Sequence, residues 1–305
     1  MRLPGDPYDV VVIGGGLAGL TAARHAAQRG FSVASLDESG HMGGLVMNVS
    51  RIDGYPVEGE VSGVDLAAAQ LEALLELGVE IIPEGATGLA LGDDIKAVTT
   101  ESGVHAARAL VLATGARLRS LGVPGEAALV GRGVSQCADC DAGFFAGQNV
   151  VVVGGGDSAL QEALHLSDYV AGITLITRGD TLRARPDYIA QAMANPKFAL
   201  RLSTKVMEIL GSDGVEGIQV APMGGGKTET IACSGVFVFI GLEPNVGYLP
   251  ASIVRDAAGC VVTDANYQTS APGVYAVGAV RAGYSGQLAS AIEEAASTIA
   301  RIAIA

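Results

Sequence analysis

The stretches DVVVIGGGLAG, residues 9–19, and NVVVVGGGDSA, residues 149–159, decide the fold. Each opens on β-branched residues without polar interruption, which predicts a strand buried on both faces of a parallel sheet. Each then enters a Gly-x-Gly-x-x-small turn, with Gly14, Gly16 and Gly19 in the first and Gly154, Gly156 and Ala159 in the second. The first glycine permits the tight turn, the second lets backbone approach a pyrophosphate, and the small third residue lets helix and strand pack closely. Outward from the turns, Leu20 to Gln28 and Leu160 to Leu166 read as helices. Phe31 to Leu36 and Ile173 to Thr177 read as the next strands. A helix N-terminus offers N–H groups to an anion, and Asp37, ending the first of these strands, can accept hydrogen bonds from a ribose. One such turn is weak evidence. Two, each with its strand before and helix after, predict two dinucleotide sites; the alternative is one site and one Gly-rich loop.

Between the copies, Gly63 to Leu77 reads as a helix, with short strands at Val79 to Ile82, Ile95 to Thr99 and Val104 to Ala107. Leu110 to Ala116 returns to a buried strand. Similar apolar strands stand at Val236 to Gly241 and Gly273 to Gly278, and a final helix runs from Gln287 to Ile302. The expected class is α/β, with two Rossmann-like domains of the three-layer ββα type, the second inserted into the first. Residues 1–117 and 244–305 form one domain and 118–243 the other, with crossings at Arg117 to Gly122 and Leu242 to Val246, both rich in turn formers. Met223-Gly224-Gly225-Gly226-Lys227 reads as a hairpin tip, because it lacks the spacing of a phosphate-binding loop.

The 305 residues are 49% hydrophobic and 17% charged, with 43 glycines. Glycine at that level without a triplet repeat points to tight turns and close backbone approach to ligands. A net charge of −13 argues against nucleic acid or an anionic membrane as main partner. Mean hydropathy is positive, yet no apolar run of about 20 residues predicts a membrane span, and Met1 to Tyr8 lack the pattern of a signal peptide. Four cysteines are too few for a disulfide scaffold and predict a reducing, cytoplasmic setting.

Cys137-Ala138-Asp139-Cys140 is the sharpest local signal. Two intervening residues can bring both sulfurs within disulfide range on one helical turn. At a helix N-terminus, first-turn N–H groups would favour a thiolate that an unperturbed thiol, with pKa about 8.5, supplies only sparsely at neutral pH. Asp141 follows, and its carboxyl could give a proton to a departing thiolate. A metal site would need further soft ligands at close spacing; Cys233, Cys260, His25, His41, His105 and His165 do not supply it. The remaining alternative is a buried, inert pair.

The pieces in order are GGGLAG at Gly14, Gly43-Gly44, Tyr55-Pro56, ATGA at Ala113, LGVPGE at Leu121, CADCDAGFF at Cys137 and GGGDSA at Gly154. They continue with IGLEPN at Ile240 and TSAPGVYAVG at Thr269. Together they resemble the low-molecular-weight thioredoxin reductases over nearly the whole chain, the CxxCD piece before the second nucleotide fold being the most specific. The resemblance implies FAD in the first fold and NAD(P)H in the second. Cofactor contacts would fall at Gly14, Gly16, Leu17, Ala18, Gly19, Asp37, Gly44 and Leu45, then at Ala113, Thr114 and Gly115, and near the end at Gly278, Ala279, Gln287 and Leu288. In the second fold they would fall at Gly154, Gly156, Asp157, Ser158, Ala159, Arg178 and Arg183, with Ile240 and Gly241 after it. It also implies electron flow from NAD(P)H through FAD to the Cys137–Cys140 disulfide and on to a thioredoxin-like or other small disulfide protein. Cys140 would face the flavin, Cys137 would attack the partner, and Asp141 would be the acid. A swivelling nucleotide domain and a homodimer are implied too.

The chain departs from the family mainly at flavin contacts. The usual Gly-Gly-Gln-Leu is Gly43-Gly44-Leu45-Val46, an Asn before the aromatic-Pro pair is Gly54, and a Gly-Asp is Gly278-Ala279. An Arg-Gln-Ala is Gly286-Gln287-Leu288. One lost charged hydrogen bond is worth roughly 1.5–3 kcal/mol, so flavin binding is either remade by other groups or weaker. For the second cofactor, Arg178 and Arg183 suit a 2′-phosphate, and no acid ends the strand at Ile176 or Thr177. This favours NADPH, with NADH as the alternative. Two other readings stand beside the reductase: a flavin-dependent dithiol oxidase passing electrons from thiols to oxygen, and a nucleotide-binding redox sensor.

Overall fold

The structure, a computed structural model, describes residues 5–40, 42–49, 52 and 61–304. His41, Gly54 and the Tyr55-Pro56 pair lie outside them. The first stretch comprises β1 (Tyr8–Ile13), α1 (Leu17–Gln28), β2 (Val33–Leu36), α2 (Gly63–Glu76), β3 (Glu80–Ile82), β4 (Gly88–Leu91), β5 (Lys96–Thr99), β6 (Val104–Leu112) and β7 (Ala116–Leu118). Then come α3 (Glu126–Leu129), β8 (Val134–Ser135), α4 (Ala138–Asp141), β9 (Asn149–Val153), α5 (Asp157–Leu166), β10 (Gly172–Ile176) and α6 (Pro186–Ala194). They are followed by β11 (Phe198–Arg201), β12 (Thr204–Leu210), β13 (Gly217–Pro222), β14 (Glu229–Ala232) and β15 (Gly235–Val238). The chain closes with β16 (Leu242–Pro244), β17 (Val274–Ala276) and α7 (Leu288–Arg301). Two compact units result, residues 1–117 with 243–305, and residues 118–242. Both are Rossmann-like, and the crossover segments β7 and β16 pair with each other.

In the first unit the sheet order is β3-β2-β1-β6-β5-β4, with β17 also on β6. Val10 and Val12 join one core with Leu20, Ala22 and Ala26 of α1 and with Ala291, Ala295 and Ile299 of α7. Val11 and Ile13 join another with Leu110, Leu112, Ile253 and Val261. Successive residues of a strand face opposite sides, so covering both faces is what demands the unbroken β-branched run. Burying each such side chain is worth about 1.5–3 kcal/mol.

The structure joins two predicted strands into one nine-residue β6. Its first half pairs antiparallel with β5 and its second half parallel with β17, on the same edge. A strand that changes partner and burial midway reads as two. Helix α1 starts at Leu17 rather than Leu20, because Gly19 lies inside the helix.

In the second unit β11-β10-β9-β15-β8 form a parallel sheet, and β12-β13-β14 an antiparallel one. Val150 and Val152 face α5 through Leu160, Ala163 and Leu166. Val151 and Val153 face Val206, Ile209, Ile218 and Val220 of the antiparallel layer. The unit therefore has helix, sheet and sheet layers, and Met223 to Lys227 lie in the loop joining β13 to β14.

Candidate functional site

After β1 the chain turns through Gly14 (φ +109°), where a Cβ would stand 2.3 Å from the Ala113 carbonyl oxygen. Only glycine fits there, and the ends of β1 and β6 meet at that point. Gly16 caps α1 with no side chain on the first-turn N–H groups, and a Cβ on it would find nothing nearer than the Gly43 oxygen at 4.0 Å. That open, N–H-rich face suits a pyrophosphate. Asp37 Oδ2 accepts the Gly15 N–H at 2.6 Å and its Oδ1 accepts the Ser39 N–H at 3.0 Å. The Asp37 carboxylate is thereby fastened to the turn.

The other expected contacts of this unit gather on the same turn. The Gly43 N–H donates to the Gly15 oxygen at 2.7 Å, so Gly44 and half-exposed Leu45, which open a short 3-10 turn, lie beside Gly16. Leu17 packs in one cluster with Val46 and Leu288. Gly278 abuts Ala18, a Cβ on it falling 3.0 Å from the Ala18 methyl. The Ala113-Thr114-Gly115 end is tied to Asn245. Thr114 Oγ1 donates to the Asn245 oxygen at 2.8 Å, and Asn245 Nδ2 donates to the Thr114 oxygen at 2.9 Å. Gln287 caps α7 by its backbone, and its carbonyl accepts the Tyr284 hydroxyl at 2.9 Å. At Ala279 the chain presents only a methyl. The carboxylate beside it is Glu294, buried on α7, which accepts the Gly278 N–H at 2.8 Å and pairs with Arg281. This set fits a flavin dinucleotide at its pyrophosphate and ribose; near Ala279 the buried Glu294 carboxylate, paired with half-buried Arg281, orders the backbone.

The second turn repeats the design. A Cβ on Gly154 (φ +150°) would lie 2.2 Å from the Phe239 oxygen, and Gly156 faces open space. Gly156 caps α5 without a side-chain contact, Asp157 Oδ1 accepts the Arg185 N–H at 2.7 Å, Ser158 is exposed and the Ala159 methyl is fully buried. Thr177 stands behind Gly155, and the Arg183 N–H donates to the Gly155 oxygen at 2.7 Å. The Arg178 and Arg183 side chains are exposed and engage no partner among the described residues, whereas Arg185 is taken up by Asp187 and by the Tyr188 ring. Ile240 and Gly241 follow β15, whose end meets β9 where the Phe239 N–H donates to the Val153 oxygen at 2.8 Å. Two unengaged guanidiniums at a Gly-rich turn fit a phosphorylated pyridine nucleotide.

Cys137 and Cys140 form a disulfide, with Cα atoms 5.3 Å apart. Cys137 caps α4, and its sulfur accepts the Cys140 N–H at 3.2 Å. Ser135 accepts the Cys137 N–H at 3.1 Å. The turn rests on α5 through Ala138, Ala142 and Phe145, the last edge-on to Phe237. Cys140 is exposed, while Cys137 and Asp141 are half-buried. Cys233 is buried, which pushes its thiol up to about 12 and leaves it inert as a nucleophile.

Sequence reasoning missed three groups beside the disulfide. Glu162 Oε2 accepts the Ala138 N–H at 2.9 Å, and burial raises its carboxyl above the usual carboxylate range despite that bond. Asp139 Oδ1 lies 3.2 Å from His165 Nε2. Glu162 and His165 stand three apart, a spacing that shares a helix face, but only the packing of α4 on α5 reveals what that face touches. Arg281 and Glu294 carried no signal at all. Among the described residues, no cluster of three or more His, Cys, Asp or Glu could hold a metal ion, and no helix is long and apolar enough to cross a membrane.

Comparison with known proteins agrees with this geometry. Residues 8–295 match the family described as pyridine nucleotide-disulphide oxidoreductase. Thioredoxin reductase of Treponema pallidum is 36% identical over 290 residues, 95% of this chain and 94% of that protein. The solved thioredoxin reductase of Lactococcus lactis matches with TM-score 0.89 and 34% identity over 96% of this chain and 97% of that one. That of T. acidophilum matches with TM-score 0.85 and 30% identity over the same shares. The chain belongs to the pyridine nucleotide-disulphide oxidoreductases, in their thioredoxin reductase branch.

Proposed function

We propose that this chain passes two electrons from NADPH, by way of FAD, to the Cys137–Cys140 disulfide and from there to the disulfide of a small thioredoxin-like protein. By family it is a disulfide reductase that uses a flavin and a pyridine nucleotide. The observation that carries the reading is the disulfide turn seated on α5, the helix that opens with the second Gly-rich turn. When bound, the two cofactors supply hydride transfer and a two-electron relay. Residues 1–117 and 243–305 would hold FAD through the Gly14–Gly19 turn, Asp37 and the Ala113–Gly115 end. Residues 118–242 would hold NADPH through the Gly154–Ala159 turn, with Arg178 and Arg183 on the 2′-phosphate.

Two electrons and one proton open the disulfide to a thiol and a thiolate. The Cys140 N–H, which already points at the Cys137 sulfur, favours the negative charge on Cys137. That thiolate attacks the partner's disulfide and displaces one partner sulfur, which takes a proton from Asp141. The Cys140 thiolate, its proton gone to solvent, then attacks the Cys137 sulfur of the mixed disulfide. The Cys137–Cys140 bond closes, the bond to the partner breaks, and the partner's second sulfur leaves as a thiolate that takes a proton from solvent, so the partner departs as a dithiol. A homodimer in the cytoplasm belongs to the same reading and rests on the likeness to thioredoxin reductases.

Anaerobic titration tests it. NADPH should bleach the visible flavin band of wild type and of Cys140→Ser alike, while only wild type reduces a thioredoxin. Bleaching by dithiols but not by NADPH would replace the reductase with a thiol oxidase. Bleaching by neither would leave a redox sensor.

A further inference from the structure

Asp139 stands between the two cysteines, and its carboxylate meets the His165 imidazole at 3.2 Å. Glu162, one turn earlier on α5, ends on the Ala138 N–H of the same redox turn. Helix α5 thus grips the turn with two ionisable side chains. A carboxylate adjoining Cys140 and two residues from Cys137 opposes negative charge on either sulfur, and a protonated imidazole against that carboxylate cancels the opposition. Around His165 stand Asp139, Glu162 and the Tyr169 ring, whose centroid is 5.3 Å away. Asp141 ends the redox turn, and on α6 the Arg185 and Asp187 charges pair with each other.

We infer that the Asp139–His165 pair sets the thiolate population of the reduced Cys137–Cys140 pair, with His165 as a positioning residue that holds and neutralises the Asp139 carboxylate. The inference rests on the reading of these cysteines as an exchanging pair. Two electrons and one proton convert the disulfide to one thiol and one thiolate, and the charge beside them governs how readily the thiolate takes up a second proton from solvent.

The test uses the full-length, flavin-loaded enzyme, reduced anaerobically with dithiothreitol, desalted and alkylated with iodoacetamide from about pH 6 to about pH 9. Mass spectrometry of the Cys137 and Cys140 peptides gives each rate. With the two side chains 36% and 27% exposed, the variants should fold. His165→Gln should slow the faster thiol roughly 2- to 5-fold at the acid end, the size of a half-exposed charge pair, and converge with wild type at the alkaline end. His165→Lys should restore the fast rate and keep it at alkaline pH. Asp139→Asn should speed alkylation and make His165→Gln nearly silent. Equal slowing at every pH, no slowing at all, or undiminished slowing in the Asp139→Asn background would each overturn the inference. A parallel sample reduced with NADPH separates the two readings: cysteines that dithiothreitol opens but NADPH does not would sink the reductase reading and leave the charge test standing.

Discussion

At the first nucleotide turn a carboxylate, Asp37, closes on the Gly15 amide at 2.6 Å; at the second a hydroxyl, Thr177, stands behind Gly155, and two unengaged arginines follow. The backbone device is the same in both. What differs is the side chain that ends the neighbouring strand, and it reverses the local charge. An acid accepts from ribose hydroxyls and repels a phosphate there, whereas guanidiniums welcome one. The packing differs as well. A Cβ on Gly19 would fall 1.8 Å from the Gly14 oxygen, while the second turn accommodates the Ala159 methyl, fully buried, at the same place. The helices differ further on: α1 has no acidic residue along its length, while α5 sends Glu162 and His165 to the redox turn. One grammar therefore yields a closely packed site backed by the Arg281–Glu294 ion pair and a looser one wired to the disulfide.

The comparison can be broken most forcefully at Glu294. Glu294→Ala leaves the half-buried Arg281 without its carboxylate and the buried Gly278 N–H without its acceptor. The loss should be about 3–5 kcal/mol, read as a lower urea midpoint of the flavin-bound protein with flavin release. NADPH affinity of the second unit should not change. If NADPH binding weakened equally, the separate backing of the two turns would be wrong.

Swapping the third residues sharpens the packing contrast. Gly19→Ala should cost about 1–3 kcal/mol by overpacking and weaken flavin retention, whereas Ala159→Gly should cost about 0.5–1 kcal/mol in helix stability. Thermal unfolding and flavin content measure both, and a harmless Gly19→Ala would mean that α1 does not sit so near its strand.

The last effect concerns charge and is read in binding rather than in folding. Arg178→Ala and Arg183→Ala should each raise KM for NADPH by about 10-fold, equivalent to about 1.4 kcal/mol, and leave that for NADH nearly unchanged. Equal changes for both nucleotides would show that the arginines do not read the 2′-phosphate.

Much of the fold was legible because its signals are local. The runs Val10–Ile13 and Asn149–Val153 need only strand periodicity and burial to be recognised, and Gly14 and Gly154 need only the steric demand of a tight turn. The CxxC spacing likewise foretold a bridge that the structure forms. Strand β6 was misread as two because its burial and partners change midway, and neither fact is written in its own residues. The replacement of a family Asp by Ala279 was visible, but not that Glu294, 15 positions on, would stand beside it.

By itself, then, the sequence determined the two Gly-rich turns, the strand before and helix after each, and the Cys137–Cys140 bridge, since each depends on residues adjacent along the chain. Only the tertiary structure decided which carboxylate backs the first turn and which imidazole meets Asp139. Those contacts join Gly278 to α7 and α4 to α5 across loops, and a hydrogen bond between distant residues leaves no period or motif in the segments that make it.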